Sequence, residues 1–178
     1  EAAVRRAQST VQLATLNGVA QLAQPPARSN THYYAPIDPT DEISFSAKVD
    51  VLKEIDDYVR SLDARVVQVT AMIAVSVQEV TILRPEGGEW SDIRPMSRVN
   101  ISVIVEENGR RESGSAGGGG RQSILGHITE NDWKPKAREA LRIAIVNLSA
   151  EPAPAGVMDI VLGPGWPGIL LHEAVGHG

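Results

Sequence analysis

Asn108-Gly109 stands between two β-like runs and constrains the chain more than any other pair of residues. Asn and Gly tolerate the positive φ that a tight two-residue hairpin turn demands, and such a turn has the twist of its flanking strands. Upstream, Arg98 to Glu106 alternates, with Val99, Ile101, Val103 and Val105 set against Asn100, Ser102 and Ile104. Downstream, Arg110 to about Ser115 supplies the returning strand. A β-rich run from Val66 to Leu83 comes earlier, followed by a turn at Pro85-Glu86-Gly87-Gly88 and a segment, 90 to 95, that pairs back. The middle of the chain therefore reads as an antiparallel meander.

Helices flank it. Ala3, Ala7, Val11, Ala14, Ala20 and Ala23 recur at helical spacing up to Pro25-Pro26, and a polar connector follows from Ala27 to about Glu42. The first residues read as mid-helix, which implies a start further upstream. From Ser46 to Asp63, Val49, Leu52, Ile55, Val59 and Leu62 share one face. A later helix is capped by Asp132, has Pro135 in its first turn, and buries Ala137, Ala140, Leu141, Ala144, Ile145 and Leu148. Glu151-Pro152-Ala153-Pro154-Ala155-Gly156 is a stiff linker, so the expected domains are 1–150 and 151–178. Beyond it the pattern predicts a strand from Val157 to Leu162, a Gly/Pro turn, and a helix from about Gly168. The expected fold class is α+β: helices with an antiparallel meander, then a strand–turn–helix unit.

Gly117-Gly118-Gly119-Gly120 has no side chains to pack and loses much entropy on ordering. The plain expectation is a flexible loop. The sharper one is a backbone strip that a ligand, such as an extended peptide, approaches closely. Composition sets limits elsewhere. A net charge of -5 with scattered basic residues offers no footprint for nucleic acid. The absence of cysteine removes disulfides and thiolate chemistry from this stretch and fits a cytoplasmic location. No apolar run is long enough to span a membrane.

Chemistry concentrates in His172-Glu173-Ala174-Val175-Gly176-His177. Two neutral imidazoles can hold zinc at about 2.0–2.1 Å, and the metal lowers the pKa of a water to about 7. A neighbouring carboxylate, Glu173, can take the water's proton and pass it to a leaving amine. The spacing is awkward, since residues i and i+5 of a regular helix lie about 140° apart. Convergence of His172 and His177 requires a π-type turn, which Gly176 would ease. Read structurally, Glu173 and His177 are simply an i,i+4 pair and His172 a core histidine. Two ligands are also one short of the usual three. Asp159 is nearest in sequence, and His127 has no spacing rule in its favour.

The stretch from Gly165 to Gly178, with Ser115 to Arg121 and the helix end at Val146-Asn147-Leu148-Ser149-Ala150 before Pro154-Ala155-Gly156, resembles the TldD/PmbA family of metallopeptidases. The resemblance implies a zinc-dependent cytoplasmic peptidase acting on unfolded or leader peptides. It implies His172 and His177 as ligands, Glu173 as general base, and a third ligand, a Cys, far downstream. It also implies a dimer, with a PmbA-like subunit or with itself. The family's older label, modulator of DNA gyrase, finds no support in this acidic composition. This stretch alone is expected to be inactive and to bind zinc poorly. A different class remains open: a non-catalytic interaction subunit or remnant that binds a partner protein.

Overall fold

The computed structural model describes residues 33–83 and 89–177, together with residues 5, 6 and 8. The helix expected over 1 to 24, the start of the connector after it, and the turn at Pro85-Glu86-Gly87-Gly88 lie outside the described residues. The element order is α1 (Phe45–Leu62), β1 (Val66–Leu83), β2 (Glu89–Glu107), β3 (Arg110–Gly120), a 3-10 turn (Ile124–Gly126), α2 (Glu130–Leu148), α3 (Pro167–Leu171) and a π-helical turn (His172–Gly176).

The expected meander forms as a three-stranded antiparallel sheet, β1-β2-β3. Asn108 and Gly109 take φ of 52° and 78°, and Glu107 faces Arg110 across them. Inward residues meet in cross-strand pairs, Ile73 with Val99, Ala71 with Ile101 and Val69 with Val103. Val99, Ile101, Val103 and Val105 are fully buried. Both helices cover this one face, α1 against β1, and α2 against β3 and β2. Ile55 and Val59 of α1 and Trp133, Ala137, Ala140, Leu141 and Ala144 of α2 complete the core. Tyr58 meets Trp133 edge to face at 5.4 Å and joins the helices.

Caps and ion pairs fix the joints. Ser44 Oγ accepts from the Ala47 N–H at the start of α1. Arg110 Nη2 donates to the Asn147 and Ala150 carbonyls and so closes the end of α2. Between α1 and β1, Arg65 grips Asp63 through Nε, Nη2 and its own backbone N–H. Chiefly through the side-chain bonds, this lowers the Asp63 pKa to about 2.

Four expectations change. Residues 90 to 95 and 98 to 106 belong to one strand, which runs straight through Pro95. Pro95 pairs with Val77, whereas β3 ends opposite Ser97, so β2 is an edge strand at the proline and no ladder is broken. Gly117 to Gly120 are not a loop but the last residues of β3, held by pairing with Asn100 to Ser97. Helix α2 begins at Glu130: Thr129 is its cap, through a carbonyl that accepts from Asp132 and Trp133, and Pro135 falls in the second turn. Val157 to Leu162 form no strand, because no other described strand lies beside them to complete a ladder. The α+β class itself holds.

Gly114 has a role that composition did not reveal. A Cβ there would lie 2.2 Å from the Ala140 carbonyl oxygen and 2.5 Å from the Ala144 nitrogen. Gly114→Ala is expected to destabilise by about 1–3 kcal/mol in urea unfolding, since only backbone could yield. Gly126→Ala, with nothing within 4 Å, serves as the neutral control. The Asp63–Arg65 contact predicts a pH effect. Its stabilisation is present above 3.8, the ordinary value, and is lost as pH falls towards about 2. Asp63→Asn should flatten the stability curve in that window.

Candidate metal centre

The short helix α3 runs directly into the π-helical turn of His172–Gly176. A π turn closes i to i+5, which brings residues five apart onto one side. His172 and His177 converge accordingly. Their Nε2 atoms lie 2.9 Å apart, and the rings meet edge to face with centroids at 4.6 Å. At Gly176 a Cβ would come to 3.4 Å from His172 Nδ1, an ordinary van der Waals contact, so the convergence does not depend on glycine at this position.

A tetrahedral zinc with nitrogen ligands at about 2.0–2.1 Å holds those nitrogens about 3.3 Å apart. The pair needs to open by only about 0.4 Å to accept such an ion, and the metal would replace the shared proton. The two imidazoles therefore fit a metal as two of its ligands. No described group of three or more His, Asp or Glu residues could complete a site. Glu173 stands in the same turn without a hydrogen bond to either ring, and Asp159 does not join them. His127 is engaged elsewhere. It is buried, with Gln122 Nε2 at 2.8 Å from its Nε2 and Asp132 Oδ2 at 3.5 Å from its Nδ1. Lys136 pairs with the same Asp132 carboxylate at 2.6 Å.

The glycine strip lies on the open edge of the sheet. Gly117 and Gly119 are exposed, and Gly118 sits over the Lys136 side chain. Residues 151–177 are exposed throughout, including Val157, Val161 and Trp166. No described helix is long and apolar enough to cross a membrane.

Residues 38–148 match the family model of the PmbA/TldA metallopeptidase central domain. The chain belongs to this family. It is 47% identical over 149 residues to a protein named metalloprotease TldD homolog from Haemophilus influenzae, covering 82% of this chain and 31% of that one. A protein of the same name from Buchnera aphidicola of Schizaphis graminum is 45% identical over 152 residues, covering 82% and 32%. The chain thus spans about a third of the length of these curated relatives. A Thermotoga maritima crystal structure, described as a candidate modulator of a DNA gyrase, shares the fold. Its TM-score is 0.59 at 17% identity, over 77% of this chain and 30% of that one.

Inserting one alanine between Ala174 and Val175 would set the histidines six apart and part their ring nitrogens. In the full-length protein, divalent-metal affinity should then fall by on the order of tenfold or more, as read by competition with a chromophoric chelator.

Proposed function

We propose that this chain belongs to a zinc-dependent peptidase that hydrolyses peptide bonds in unfolded or leader peptides in the cytoplasm. The observation that carries the proposal is the π turn, which places two imidazole nitrogens 2.9 Å apart in a chain of a metallopeptidase family. His172 and His177 would hold the metal, which when bound supplies Lewis acidity and a water of lowered pKa. Glu173, one residue from the first histidine and not tied to the ring pair, accepts the water's proton and returns it to the departing amine. A third ligand from the rest of the peptidase completes the site, so the chain alone is inactive and binds zinc weakly. A PmbA-like subunit or a second copy is the proposed partner, with no role for nucleic acid.

The open edge of β3 is the proposed substrate strip. Gly117 to Gly120 present backbone alone, and an extended peptide can add to such an edge through main-chain hydrogen bonds with little sequence preference. The reading of the chain as a non-catalytic interaction module draws on the exposed apolar residues after Val157, but it gives the convergence of the histidines no purpose.

In the full-length protein, Glu173→Gln should lower hydrolysis of an unfolded substrate by about 10²–10⁴-fold while bound metal stays unchanged. His172→Ala should lose both metal and activity. Undiminished hydrolysis by Glu173→Gln would overturn the assignment.

A further inference from the structure

We propose that Arg98 and Asn100 read the side chains of a peptide lying on β3, and that Arg98 selects an acidic residue opposite Gly119. The proposal deepens the reading of β3 as the substrate strip and rests on it. The turn at Asn108-Gly109 closes on Glu107 and Arg110 as a hydrogen-bonded pair. Pairs alternate along an antiparallel ladder, so Asn100–Gly117 and Arg98–Gly119 fall at non-hydrogen-bonded positions. Two consequences follow. The N–H and C=O of Gly117 and Gly119 turn outward, towards the edge that no described strand occupies. The paired residues also come closest there, at about 4.5 Å between Cα atoms.

Glycine makes that approach possible. A Cβ on Gly117 would lie 2.5 Å from Asn100 Oδ1, so the Asn100 amide already leans across β3. A Cβ on Gly119 would lie 2.9 Å from Arg98 Cβ. A strand added to β3 would lie about 10 Å from β2, two strand spacings away. On an ordinary sheet the side chains of the middle strand fill that gap. Here nothing stands in it, and a Glu or Asp on the new strand can meet the Arg98 guanidinium directly.

The surroundings agree. Arg98 is exposed and has no ion-pair or hydrogen-bond partner among the described residues. It lines a shallow cavity of about 480 Å³ with Ala74, Ser76, Met96, Gly119 and Gly120, none of which carries a charge. An acidic side chain entering this cavity therefore meets one cation, and a basic side chain meets no partner.

The test is binding of fluorescent extended peptides to the full-length protein, read by anisotropy. The peptides differ only in Glu, Gln or Lys at one position at a time. At one position Glu should bind about fivefold tighter than Gln, as for a partly exposed ion pair. Arg98→Ala should abolish that preference, Arg98→Lys should retain part of it, and Arg98→Glu should transfer it to the Lys peptide. A Glu preference unchanged in Arg98→Ala, or none in the wild type, overturns the proposal and leaves the strip intact. Ser115→Pro tests the strip separately, because residue 115 also turns its N–H to the open edge and proline removes that donor alone. Binding unaffected by Ser115→Pro would remove the strip, and this proposal with it.

Discussion

The contact between β3 and α2 sets the spacing of the whole domain. At Gly114 the strand backbone meets the helix backbone with no side chain between them. Helix and sheet can approach this closely only because the facing stripe of α2 is also small, at Ala137, Ala140 and Ala144. A core poor in aromatic residues is thereby filled by aliphatic side chains at close range, with Trp133 the largest buried side chain among the described residues. The close packing of β3 on α2 also holds the glycine strip in strand form. Gly118 rests on the Lys136 side chain, and Lys136 is held by Asp132 near the start of the same helix.

Much of this was legible in the sequence, and the reasons are specific. Asn108-Gly109 defined both the hairpin and its register, and the alternation of Val99, Ile101, Val103 and Val105 defined the buried face. The five-residue interval between His172 and His177 required a widened turn, which is the turn found. Two of the errors share a cause, long-range pairing that local composition does not encode. Four glycines looked like a loop because their order comes from β2. Val157 to Leu162 looked like a strand because their composition suits one, yet a strand needs a neighbour. The start of α2 has a local cause: Thr129, with Asp132 three residues on, is also a favoured cap type, and its carbonyl accepts from Asp132 and Trp133. The register did hold one unread signal: counting back from Asn108-Gly109 places Asn100 against Gly117 and Arg98 against Gly119.

The two proposed sites in the chain are therefore of different kinds. The strip on β3 is supported from beneath by a packed core. The histidine pair is local, made by one turn of backbone and buried by nothing in the described structure. The first depends on the fold of the central domain, and the second chiefly on the spacing of six residues.

The widened turn also changes how the motif responds to altered length. Adding or removing a residue in a regular helix rotates everything beyond it by about 100°. A π turn holds one residue more than its α counterpart, so removal of one residue from within it leads back to a regular helix. The two histidines would then be four apart, about 40° around the axis, and still on one side. The turn is in effect a store of one residue of slack, and the facing of the imidazoles survives its loss.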